Sequence, residues 1–110
     1  TTVVVPDLVF VSRSRSAIIT ARAIEGTPDL IVEVLSESTA RHDRGAKRKL
    51  YARYGVDRYW LVDPDARSLK VYALRDGAYE LAGTYRDDAI VTCDVPAGLK
   101  LRLDEVWPRG

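Results

Sequence analysis

The order of apolar runs along these 110 residues predicts a mixed α+β fold, an α/β sheet with a helix laid on one face. Three observations point there. Two early runs of branched aliphatics read as strands, and each is interrupted by one acid. A single segment of helical period follows and ends at a glycine. The remainder alternates apolar and polar residues around turn signals, as a strand-rich tail should.

The elements follow in chain order. Val3 to Val11 is expected as the first strand, with Pro6 tolerable near an edge or bulge and Asp7 breaking the aliphatic run. Ser12 to Ser16 is polar and basic, a loop by composition. Ala17 to Ile24 fits either a continued hairpin or a short helix. Gly26, Thr27 and Pro28 punctuate the chain before a second strand, Asp29 to Leu35. Ser36 to Thr39 reads as a polar turn with Ser38 or Thr39 as N-cap. A helix is then expected from about Arg41 to Tyr54, stopped by Gly55 at the position where a left-handed residue ends helices. Arg58 to Val62 makes a third strand, closed by Asp63-Pro64-Asp65. Ser68 to Leu74 and Tyr79 to Thr84 form a hairpin around Asp76-Gly77. A strand at Ala89 to Cys93 and the Leu99 to Leu103 alternation are expected to finish the same sheet. No repeat or low-complexity linker divides this order, so residues 1–110 read as one domain.

The bulk properties narrow the function. No stretch approaches the roughly 18 apolar residues of a membrane span, and no signal-peptide pattern opens the chain. Cys93 is the single cysteine, which excludes an internal disulfide, fits a reducing cytoplasm, and is expected as a small buried hydrophobe. The chain has no Met and opens at Thr1 directly before strand-like sequence, so an N-terminal part of the fold is expected to lie outside it. The net charge of +1 conceals an asymmetry. From Arg41 to Arg58 seven basic residues face two acids, enough positive charge to attract a polyanion.

The chemistry centres on Glu33, one carboxylate among Leu30, Ile31, Val32, Val34 and Leu35. Strands apolar on both faces lie inside sheets, where an unpaired charge is costly. On a helical wheel Ala46, Leu50 and Tyr54 define an inward stripe that includes Lys47 and is bordered by Tyr51, whereas Arg41, Arg44, Arg48, Lys49 and Arg53 avoid it. Lys47 is therefore expected to face the sheet that carries Asp7 and Glu33. Two acids and a lysine converging from two strands and a helix suit phosphodiester hydrolysis with Mg2+ or Mn2+ held by carboxylate oxygens. A plainer reading makes Glu33 and Lys47 a buried ion pair, with Asp7 facing solvent. Asp43 either serves the site or favours the helix N-terminus through the macrodipole. Asp29 shares the face of Glu33 by period two, yet could be a turn residue. His42 is exposed by helical phase and lacks a partner for zinc.

The run Pro28-Asp29-Leu30-Ile31-Val32-Glu33-Val34-Leu35-Ser36, followed by Asp43, Lys47, Tyr51, Gly55-Val56 and Tyr59-Trp60, with Pro6-Asp7 upstream, resembles the bacterial Uma-two family. That family is regarded as restriction-endonuclease-like, within the PD-(D/E)XK nuclease superfamily, and the resemblance runs from Pro6 to about Leu103. It implies a restriction-endonuclease-like core: a central mixed sheet, a flanking helix and a β-rich C-terminal part. It also implies that Asp7 and Glu33 are the two acids. Leu35 stands where the superfamily expects a lysine two residues after the second acid, and Lys47 on the following helix matches that role instead. Family members usually carry further residues upstream, expected to lie outside this sequence.

The leading expectation is thus a Mg2+- or Mn2+-dependent endonuclease acting on DNA. Asp7, Glu33 and the Val34 carbonyl would hold the ion, and Lys47 would position the attacking water. Arg41, Arg44 and Arg48 would contact phosphates, with Asp43, Tyr51 and Asp29 in support. A homodimer would suit the cutting of two strands. The alternatives are a degenerate module that binds nucleic acid without catalysis, and an oligomerising domain anchored by Trp60 and Trp107.

Overall fold

The computed structural model describes residues 8–11, 26–35, 44–93 and 97–107. Within them lie strands β1 (Leu8–Phe10), β2 (Leu30–Val34), β3 (Arg58–Asp63), β4 (Ser68–Arg75), β5 (Ala78–Arg86), β6 (Ile90–Thr92) and β7 (Lys100–Arg102), with helix α1 (Arg44–Arg53) and a 3₁₀ turn at Leu103–Glu105. Val3 to Asp7, Ser12 to Ile24, the N-cap candidates Ser38 and Thr39, and Arg41 to Asp43 lie outside the described residues.

β1 to β5 form one sheet in chain order. β1 runs antiparallel to β2, β2 parallel to β3, and β3, β4 and β5 alternate antiparallel, so the expected mixed α+β architecture stands. A parallel pair cannot be joined by a tight turn, and α1 lies in the connection that carries the chain from β2 back to the start of β3. Gly55, at φ 78°, ends the helix in the left-handed conformation that its sequence position predicts. Asp76 and Gly77 both take positive φ, which gives the two-residue β4–β5 turn the twist that suits a hairpin. Between β4 and β5 the register slips at Val71/Tyr72, where Gly83 pairs with Val71 and Leu81 with Tyr72, leaving Ala82 as the extra residue of a bulge.

Each face of the sheet carries its own core. On the helix face Ile31, Tyr51, Val56, Tyr59 and Leu61 are buried together. The far face gathers Leu30, Trp60, Leu69, Val91, Cys93, Leu103 and Trp107. Successive residues of β2 and β3 alternate between these two cores, which is why both strands read as continuous apolar runs.

Three expectations are corrected here. β6 and β7 do not finish the central sheet; they pair with each other as a separate two-stranded sheet. Val91, Cys93, Leu101 and Leu103 offer an apolar side, and stacking it on Trp60 and Leu69 buries surface that pairing at a sheet edge would leave wet. Trp60 and Trp107 are core residues, 7% and 5% exposed, and Trp107 Nε1 donates to the carbonyl of Asp87 at 2.7 Å, so neither is an external anchor. The inward stripe of α1 is also turned toward Tyr51, the residue that borders the expected stripe. Tyr51 is buried, Lys47 and Leu50 are half-buried, and Ala46 and Tyr54 are exposed. A small alanine gains little from burial. The polar demand of Glu33 beneath the helix is what Lys47 and Tyr51 answer.

Candidate active site

Glu33 pairs with Leu61 across the parallel β2–β3 ladder, in the row beyond Ile31 and Tyr59, and its side chain belongs to the helix face. At 8% exposure it is a buried carboxylate. Such a group needs partners for its lone pairs, and α1 delivers two from adjacent turns. The Tyr51 hydroxyl donates to Oε1 at 2.5 Å, and the Lys47 ammonium stands 3.5 Å from Oε2. The two contacts differ in kind. The first is short and buried. The second is longer than the about 2.7–2.9 Å of a tight charge-assisted bond, and the Lys47 side chain keeps 28% of its surface exposed. Lys47 thus faces both the carboxylate and solvent. Among the described residues no buried side-chain nitrogen or oxygen lacks a partner, so the trio is internally satisfied.

The trio rests on a bed of aromatic rings. Tyr59 is 1% exposed, and its ring centroid lies 5.8 Å from that of Tyr51, 5.7 Å from Tyr72 and 5.5 Å from Tyr79. Tilted rings at these separations pack favourably and restrict the rotation of Tyr51. Tyr79 donates its hydroxyl to the Val56 carbonyl at 2.7 Å. Burial, then the neighbouring Tyr59 and Asp57, push its phenol well above the ordinary tyrosine range, so it stays a donor.

Of the residues singled out in the sequence, the structure brings Glu33, Lys47 and Tyr51 together. Val34 follows Glu33 at the end of β2 with its side chain exposed. Asp29 precedes β2 and is tied in through its backbone, its N–H donating to Phe10 and its carbonyl accepting from Arg58. Arg44 opens α1. Arg48 is half-buried, with its guanidinium over the Tyr72 ring, 5.3 Å from the centroid. Asp7, Arg41 and Asp43 lie outside the described residues.

Sequence reasoning gave no site role to Tyr59, Tyr72 or Lys70. Lys70 pairs with Leu61 from the other side, so Glu33, Leu61 and Lys70 form one row across three strands on the helix face. The even positions of β4 carried that signal, but only the register reveals which face they share.

Comparison with known proteins adds the family. Residues 1–104 match the Uma2 family, described as "Putative restriction endonuclease". The chain belongs to the Uma2 family. No curated protein matches it. Among solved structures, this Uma2 chain is similar to a protein of Anabaena variabilis ATCC 29413 described as "a putative nuclease belonging to DUF820". The two share 24% identity and a TM-score of 0.60, over 74% of this chain and 45% of that one. That likeness bears on the fold, and the chain spans less than half the length of that neighbour.

The donor chemistry at Glu33 fits a hard divalent cation in type. Oε2 is clear of the Tyr51 hydrogen bond and lies beside a solvent-accessible lysine. Among the described residues no three His, Cys, Asp or Glu side chains cluster. No helix of the described residues is long and apolar enough to cross a membrane.

Proposed function

We propose that this chain is a single nuclease domain that hydrolyses phosphodiester bonds in DNA, with Mg2+ or Mn2+ held at Glu33. The observation that carries the reading is the pairing of a buried strand carboxylate with a half-exposed helix lysine, in a chain whose family is described as "Putative restriction endonuclease".

Asp7 completes the acid pair in this proposal. It directly precedes Leu8, which pairs with Val32, the neighbour of Glu33. Glu33 Oε2, Asp7 and the Val34 carbonyl would hold the ion. A bound Mg2+ or Mn2+ would polarise the scissile phosphate and lower the pKa of a bound water. Lys47 orients that water and offers its ammonium to charge developing on the phosphate oxygens. Leu35, just after β2, stands where the superfamily carries its lysine, and Lys47 supplies the cation from above the sheet. Arg41, Arg44 and Arg48 hold flanking phosphates, with Lys70 as a further cation on the same face. Asp43 and Asp29 stand as supporting acids. Two copies acting together would serve the two strands of a duplex.

Purified protein should cut plasmid DNA with Mg2+ or Mn2+, and Glu33→Ala or Lys47→Ala should abolish cutting. Full cutting by both variants would remove this mechanism. Calorimetry separates the rival reading: salt-sensitive DNA binding without metal binding identifies a module without catalysis.

A further inference from the structure

The two oxygens of Glu33 are held unequally, and this has a consequence for the choice of cation. Oε1 accepts the Tyr51 hydroxyl at 2.5 Å within the buried layer, while among the described residues Oε2 has the longer 3.5 Å contact with Lys47 on the more exposed side. Tyr51 is 4% exposed and its ring packs against Tyr59, so its hydroxyl is fixed in place. From this geometry we infer that Tyr51 is a positioning residue that restricts Glu33 to coordination through a single oxygen, and so selects small octahedral cations over Ca2+. The inference rests on the metal site proposed above.

The selection follows from coordination chemistry. Ca2+ accepts six to eight oxygens and readily takes both from one carboxylate, whereas Mg2+ requires near-octahedral geometry and is served by single oxygens. To grasp both oxygens of Glu33, an ion would have to break a short, buried hydrogen bond to an ionised acceptor, among the stronger kinds. The penalty falls on Ca2+ and spares Mg2+ and Mn2+. Removing the hydroxyl reverses this, because Oε1 becomes a buried acceptor without its donor and turns toward any cation within reach.

The test titrates Mn2+ into the whole chain, followed by its electron paramagnetic resonance signal, with Ca2+ as competitor. It uses wild type, Tyr51→Phe and Glu33→Gln. Tyr51→Phe should lower the Mn2+-over-Ca2+ affinity ratio roughly tenfold, the worth of one charge-assisted hydrogen bond. An unchanged ratio in a folded Tyr51→Phe overturns the inference and leaves the site intact. Mn2+ binding that is absent, or that survives Glu33→Gln, overturns both the site and the inference. Wild-type protein gives a second measurement should Tyr51→Phe fail to fold. The infrared carboxylate stretches on adding Mn2+ should show the wide splitting of single-oxygen coordination, and the narrow splitting of two-oxygen coordination refutes the role given to Tyr51.

Discussion

The two faces of the central sheet divide the labour of this molecule. The far face is an apolar layer in which Trp60, Leu69, Leu103 and Trp107 are buried together with Val91 of β6. The helix face mixes its apolar residues with Glu33, Lys47 and the hydroxyls of tyrosines. Apolar burial stabilises in proportion to area and without direction. Hydrogen bonds and charges add less net stability but fix groups in space. One face therefore holds the fold, and the other holds a geometry. Polar groups can sit at the centre of so small a sheet because the opposite face supplies what they forgo.

Substitutions can break or sharpen that contrast. Under the proposed mechanism the largest effect should come from the helix face and be felt in chemistry: Glu33→Ala should lower DNA cutting by at least about 10³-fold, equivalent to about 4 kcal/mol in activation free energy. A plasmid-nicking time course measures it, and residual cutting within tenfold of wild type would place the catalytic acid elsewhere. Next comes the far face. Leu69 is 1% exposed, and Leu69→Ala should cost about 3 kcal/mol of unfolding free energy. Below the new melting transition, cutting per folded molecule should stay unchanged; urea titration paired with the nicking assay reads both.

Tyr79→Phe should cost about 1 kcal/mol through loss of the hydrogen bond to Val56. Its pH dependence carries a definite sign. The folded phenol is raised and neutral, whereas the unfolded one ionises near pH 10, roughly the ordinary tyrosine value. Stability from this group is therefore complete below about pH 10 and drains away above it. Melting curves across that range should show less alkaline loss in Tyr79→Phe than in wild type, and parallel losses would dismiss the assignment. The smallest effect belongs to the proposed phosphate contacts. Arg48→Ala and Lys70→Ala should each flatten the salt dependence of DNA binding by about one phosphate contact, with affinity falling equally for all sequences. Fluorescence anisotropy at several salt concentrations checks this.

Much of this division could be read from the chain. Glu33 was conspicuous because a charge stood in an aliphatic strand, and Lys47 because it fell on the sheet side of the helix. The Asp76-Gly77 hairpin, the Gly55 stop and strands β2 to β4 needed only local chemistry. What escaped was set at a distance. Tyr51 looked like a border residue because the apolar positions of α1 set the wheel, whereas the carboxylate below decides which residues turn inward. Lys70 and Tyr72 share the site's face through strand register, which no local pattern records. β6 and β7 were legible as strands, yet whether they would extend the sheet or lie across it depended on the apolar face already exposed by Trp60 and Leu69.

The bulge at Ala82 bears on all of this through parity. Tyr79 and Tyr85 lie six positions apart on β5, an even interval that in an unbroken strand would point both rings the same way. One surplus residue between them reverses the count. Tyr79 pairs with Leu74 and joins the rings under the helix, while Tyr85 pairs with Leu69 and joins the far core. A single inserted residue thus lets one strand furnish an aromatic ring to each side of the sheet. Deleting Ala82 would force one of the two rings out of its layer, though no side chain of consequence had been removed.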